Sequence, residues 1–138
     1  MHKLEQTFAI IKPDAVKAGF SDDIIAMIKD HGFTIVKQQP TTWTRADAEQ
    51  FYAIHKNRPF FGELVDFMIS GPIVMMVLEK EDAVPAWRDL MGATNPDEAE
   101  AGTIRNLYGA NIGNNATHGS DSADNAKLEI GQFFPELV

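Results

Sequence analysis

The 138-residue chain contains no cysteine. Disulfides and thiolate-held metals are therefore excluded. Cations are scarce: 12 Lys and Arg stand against 20 Asp and Glu, a formal net charge of −8. Such an acidic balance argues against broad binding to nucleic acid or anionic membranes. It also makes any clustered cation informative. Long hydrophobic runs are missing too. The longest, Pro72 to Leu78, is far too short to span a bilayer. Met1-His2-Lys3-Leu4-Glu5-Gln6 has no signal-peptide pattern, so no membrane association and a cytoplasmic location are expected. Neither G-x-x-x-x-G-K-[ST] nor a strand followed by G-x-G-x-x-G occurs, which removes both common nucleotide fingerprints. No cluster has metal-ligand spacing, and no repeat, linker or low-complexity segment is present.

What is there suffices for a core. Hydrophobic residues make up 44% of the chain, and this length fits one domain over 1–138. Thr7-Phe8-Ala9-Ile10-Ile11 reads as a buried strand that stops at Lys12-Pro13-Asp14, because proline cannot donate to a ladder. Ser21-Asp22-Asp23 opens a helix carrying Ile24, Ile25, Met27 and Ile28, ended by Gly32, with His31 placed to meet the helix C-terminus. Phe33 to Gln39 reads as an edge strand limited by Pro40, its alternation broken at Val36. Thr44 caps a further helix, with Phe51, Tyr52, Ile54 and His55 following. A break at Asn57-Arg58-Pro59-Phe60 follows, then a helix through Ile69. Ile73 to Leu78 has no alternation, as expected of a central strand covered on both faces. Glu81 to Met91 is helical. Gly92 to Asn115 reads as a long loop, which in a compact domain is either functional or a sign that elements within it are missed. Asn115 to Gly119 is a short strand or turn, and Ser122 to Phe134 a final helix with Ala123, Ala126, Ile130 and Phe133 on one side. This order predicts an α+β fold: a ferredoxin-like split βαβ sandwich, its four-stranded antiparallel sheet covered by helices, with the first and third strands central.

The chemistry gathers around Asn115-Ala116-Thr117-His118-Gly119-Ser120-Asp121. Gly119 leaves room for a ligand beside His118, and Ser120 or Asp121 suits a helix start, where anions are favoured. Alone, His118 reads as a turn residue. Lys12, Arg88 and Arg105 alone read as surface cations. Together with Thr94, Tyr52 and Asn115 they form a set suited to phosphates, since phosphoryl transfer asks mainly for positioning and positive charge. An unperturbed imidazole has a pKa of about 6.5, so a neutral nucleophile is available at neutral pH. Such a nucleophile can accept a phosphoryl group and pass it on. Glu129, on the helix that follows the His turn, is the candidate to orient the ring, with Ser120 in support. Phe60, after Pro59 in a break between helices, offers an exposed ring on which a base can stack. Phe61, Trp43 and Trp87 read as packing residues. A divalent ion, if one takes part, is expected to arrive on substrate phosphates, as Mg²⁺ does.

These residues resemble the nucleoside diphosphate kinase family. The resemblance rests on Asn115–Asp121, on Ile11-Lys12-Pro13-Asp14-Ala15-Val16, on Asn57-Arg58-Pro59-Phe60-Phe61 and on Ser70-Gly71-Pro72. It extends through Met91-Gly92-Ala93-Thr94-Asn95-Pro96 and Gly102-Thr103-Ile104-Arg105, nearly the whole chain. It implies transfer of the γ-phosphate of a nucleoside triphosphate, usually ATP, to a nucleoside diphosphate, by a ping-pong route through a phosphohistidine at His118. It further implies that Glu129 orients His118 with Ser120 in support, and that Lys12, Tyr52, Arg88, Thr94 and Arg105 hold phosphates. Asn115 and Lys12 would reach the sugar hydroxyls, and Phe60 would stack on the base with Ile112 across from it. Mg²⁺ would be held by nucleotide phosphates and water, with no metal ligand from the protein. A homo-oligomer built from dimers, tetrameric or hexameric, is implied as well. Leu107, Thr117 and the glycine-free stretch Phe20-Ser21-Asp22-Asp23 depart from the family pattern and bear on loop packing and assembly. A binding module for RNA or nucleotides is the competing reading. It would need aromatics on exposed strand faces and basic surroundings.

Overall fold

The computed structural model describes residues 4–111 and 114–138. Four strands form one antiparallel sheet: β1 (Leu4–Ile11), β2 (Thr34–Thr41), β3 (Ile73–Glu81) and β4 (Thr117–Gly119), in the order β2-β3-β1-β4. The two most apolar strands are central, as their composition requires. β3 is buried from Ile73 to Leu78 because helices cover both faces of the sheet.

One face packs α1 (Pro13–Lys17), α2 (Ser21–Asp30), α5 (Ala83–Met91) and α6 (Ile104–Tyr108) over Ala9, Ile11, Val74, Met76 and Leu78. The other packs α3 (Arg45–Phe51), α4 (Phe61–Met68) and α7 (Ala123–Phe133) over Phe8, Ile10, Ile73, Met75 and Val77. Helices cover both faces of the central strands β1 and β3, so these strands do not present the exposed aromatic platform that an RNA-binding sheet needs.

Local chemistry sets the elements. Ile24 and Ile28, four apart, bury one stripe of α2, and His31 Nδ1 lies 2.8 Å from the Met27 carbonyl at its end. Thr44 and Asp47 form a reciprocal capping box on α3. Trp43 and Trp87 are buried, and Phe61 packs half-buried against the second cluster.

Several expectations are corrected. Pro13 does not merely end β1; it occupies the first position of α1, where its missing N–H costs nothing. β2 runs through Pro40 to Thr41, tolerable because it is an edge strand, and the irregularity at Val36 is a bulge between Ile35 and Lys37. Glu81 closes β3 rather than opening α5. The helix starts only after Asp82, which has φ 53°. α4 ends at Met68, with Ile69 as its cap. The stretch from Gly92 to Asn115 is not bare loop: it holds a 3₁₀ turn at Pro96–Glu98 and α6, capped by Thr103. Ser122 caps α7 from outside, the role expected of Ser120 or Asp121, and Ala123 is exposed rather than packed.

Leu78, fully buried in β3 and remote from β4, tests the two-sided core. Leu78→Ala is expected to cost about 2–5 kcal/mol, read as a lower urea midpoint with an unchanged m-value.

Candidate active site

β4 is three residues long and pairs only with β1: Ile11 faces Thr117, Ile10 faces His118, and Ala9 faces Gly119. Opposed residues in an antiparallel pair share a face. The His118 side chain therefore emerges with Ile10 on the α3–α4–α7 side. Thr117 and Gly119 turn toward α5. The rings bear this out. The His118 imidazole lies edge-on to Phe51 at 5.0 Å and to Tyr52 at 6.4 Å.

Its backbone is fixed from behind. The Trp87 indole N–H donates to the His118 carbonyl at 3.1 Å, and Gly119 packs against the same ring. Arg105 donates to the Thr117 carbonyl at 2.9 Å and to the Gly92 carbonyl at 3.1 Å. These two bonds leave part of its five-donor fork uncommitted.

His118 Nε2 lies 3.1 Å from Glu129 Oε1, with both side chains about four-fifths buried. The same oxygen accepts the Ser120 hydroxyl at 2.7 Å. Ser120 thus acts on Glu129, not on the ring. A carboxylate accepts, so Nε2 carries the proton and Nδ1 keeps its lone pair. Around the ring a cleft of about 200 Å³ is lined by Tyr52, His55, Arg88, Asp121 and Glu129 among others. Arg88 also lines a larger neighbouring hollow with Thr94 and Arg105.

Lys12 is buried at the exit of β1 and donates to Asn115 Oδ1 at 2.8 Å; Asn115 in turn donates to the Thr94 carbonyl at 3.2 Å. Burial, and then Arg105, lower the Lys12 amine to about 8, against a smaller upward pull from Asp14. Burial followed by Arg88 brings Arg105 down to about 10, so it stays cationic at neutral pH. Tyr52 is held firmly as a neutral phenol by burial and by Glu129, and its hydroxyl has no partner among the described residues. The arrangement presents a nucleophilic nitrogen beside cations and neutral donors, which suits an incoming phosphate chain.

The nucleoside diphosphate kinase family model matches residues 5–137. The nucleoside diphosphate kinase of Hyphomonas neptunium is 57% identical over 133 residues, covering 96% of this chain and 95% of that protein. That of Phenylobacterium zucineum is 55% identical, with 96% and 95% covered. Among solved structures, the Aquifex aeolicus nucleoside diphosphate kinase superposes with a TM-score of 0.95 at 40% identity, covering 98% of both chains. A Halobacterium salinarum nucleoside diphosphate kinase in complex with CDP gives 0.91 at 40% identity, covering 96% of this chain and 88% of that one.

The chain belongs to the nucleoside diphosphate kinase family. It is an enzyme that moves phosphate between nucleotides. Of the site residues expected for a nucleoside diphosphate kinase, the fold gathers His118, Glu129, Ser120, Tyr52 and Arg88 around one cleft, with Thr94 and Arg105 in the adjoining hollow. Lys12 and Asn115 join them through hydrogen bonds. Phe60 is 47% exposed and lines neither; His55, with its ring 5.6 Å away, links it to the cleft. Ile112 lies outside the described residues. Leu107 is exposed, and Thr117 is buried with a hydroxyl that has no partner among the described residues, the cost of placing Thr where an aliphatic would pack. The sequence reads Trp87 as a packing residue and gives Asp14 no role of its own; in the structure the Trp87 N–H also holds the His118 carbonyl, and Asp14 Oδ2 accepts the Ala116 N–H at 3.1 Å. The Trp87-Arg88 pair offered a hint, since one face of α5 must point at β4 if Arg88 lines the site.

A Cβ on Gly119 would fall 2.4 Å from Trp87 Cδ1 and 2.5 Å from Met91 Cε. Gly119→Ala is therefore expected to destabilise the fold by about 1–3 kcal/mol and to lower turnover, checked by thermal melting and a coupled kinase assay.

Proposed function

We propose that His118 is the nucleophile of a two-step transfer. Nδ1 attacks the γ-phosphorus of a nucleoside triphosphate, usually ATP. The N–P bond forms as the bond to the β-γ bridging oxygen breaks, and the nucleoside diphosphate departs. A second diphosphate then uses a terminal β-phosphate oxygen to take the phosphoryl group, and the lone pair returns to Nδ1. The observation that carries this reading is the Nε2–Glu129 contact, which fixes the tautomer and leaves the other nitrogen unspent.

Each neighbour has a part. Glu129 stabilises the positive charge that grows on the ring, while Ser120 holds Glu129. Arg88, Arg105 and Lys12 offset the phosphate charge, Tyr52 and Thr94 donate hydrogen bonds, and Asn115 with Lys12 meets the sugar hydroxyls. Phe60 supplies a ring for the base, which fits low selectivity among bases because every base has a π-face. Among the described residues no group of three or more His, Asp or Glu side chains could hold a metal ion. In this reading Mg²⁺ would be carried on the nucleotide phosphates and water, where it would neutralise charge. Residues 1–138 are read as one kinase domain. No helix among the described residues is long and apolar enough to cross a membrane, which fits a cytoplasmic location. A homo-oligomer built from dimers, tetrameric or hexameric, belongs to the same reading. β2 supports it, being an eight-residue strand at the edge of the sheet.

Incubation with [γ-³²P]ATP is expected to label His118 in an acid-labile, base-stable form that chases onto added diphosphate. His118→Ala should abolish both label and turnover while leaving the melting curve in place. Full turnover in that variant would rule the reading out.

A further inference from the structure

The segment that launches β4 is unusual. The Thr117 N–H donates to the Asn115 carbonyl at 2.9 Å, closing a three-residue turn around Ala116. Ala116 has φ 74°, a conformation that a residue with a Cβ adopts only under strain, and it is fully buried. Strain of this kind persists only when the surroundings over-determine it.

They do so through residues 12–14. The Lys12 N–H donates to the Ala116 carbonyl at 2.8 Å, and the Ala116 N–H donates to Asp14 Oδ2 at 3.1 Å. One bond is backbone and sequence-independent. The other depends on a single carboxylate 102 positions away. The turn's flanks carry the chemistry: Asn115 receives the Lys12 amine on one side, and His118 stands two residues beyond on the other.

We propose that Asp14 is a positioning residue for phosphoryl transfer: its carboxylate locks the strained Ala116 turn, setting the Lys12–Asn115 pair and His118 in mutual register. The inference rests on the reading of His118 as nucleophile. A second effect follows from charge. The charged groups facing the Lys12 amine are Arg105, from α6, and Asp14, from α1. Burial and then Arg105 depress the amine, and Asp14 pulls it upward, the smallest of the three effects. Oδ1 of Asp14 has no partner among the described residues, so its charge is not spent on another donor there.

Two variants separate the brace from the charge. Asp14→Ala removes both; Asp14→Asn keeps an oxygen for the Ala116 N–H and removes only the charge. The readouts are the single-turnover rate of His118 labelling by ATP and the pH profile of kcat/KM from pH 6 to 9. Asp14→Ala should slow labelling by about 10- to 100-fold at every pH, the scale on which misplacement of reacting groups acts. Asp14→Asn should recover most of that rate at the acid end. Its alkaline fall, where Lys12 loses its proton, should move to lower pH, because the group that raised the amine's pKa is gone. A wild-type labelling rate in Asp14→Ala overturns the proposal. An unmoved alkaline limb in Asp14→Asn overturns the charge effect, and if the alanine variant fails to fold, a wild-type labelling rate in the near-isosteric Asp14→Leu overturns the brace. A wild-type protein that takes no label on His118 overturns instead the reading beneath it.

Discussion

A carboxylate accepts two hydrogen bonds on one oxygen, from the His118 ring and from the Ser120 hydroxyl, and the site depends on that contact. A histidine ring on a three-residue edge strand has little else to hold it. Glu129 can reach it only because α7 starts directly after β4 and packs back across β1. The strand in turn stays in register because the His118 backbone carbonyl is tied to Trp87, the preceding carbonyl to Arg105, and the following glycine packs against the indole. The ring's freedom is thus removed from three directions by elements far apart in the chain. Preorganisation of this kind moves the cost of orientation from the reaction to folding.

The second constraint is electrostatic. An acidic chain, net −8, concentrates cations where it needs them. Lys12 and Arg105 are both buried, and each is pulled below its ordinary value by loss of water and by cationic neighbours. Cations stored in this way are unfavourable until an anion arrives. On the proposed reading a phosphate chain relieves that cost, and the unfavourable burial of charge becomes affinity for the polyanion.

Much of this was legible in the sequence, for physical reasons. Ile73 to Leu78 without alternation can only be a strand covered on both sides, and it is. Thr44 announces a capped helix and delivers one, with Asp47 completing the capping box. The order of elements sufficed for the sheet. What stayed hidden was short or distant. A five-residue helix such as α1 or α6 completes too few turns to show periodicity, and Pro13 reads equally as a stop and as a first helical residue. Asp14 looks like any exposed carboxylate until the fold brings Ala116 against it. Trp87 was expected to pack, and does, but nothing in its neighbours shows that its N–H would find the His118 carbonyl.

The protonation of one ring is the most direct test. ¹⁵N NMR of the imidazole of His118, recorded on the nucleotide-free protein at a pH where the ring is neutral, distinguishes its two nitrogens. A proton on Nε2, with a pyridine-like shift at Nδ1, is the result expected if Glu129 orients the nucleophile. A proton on Nδ1 would leave no lone pair to attack phosphorus from that side and would contradict the account.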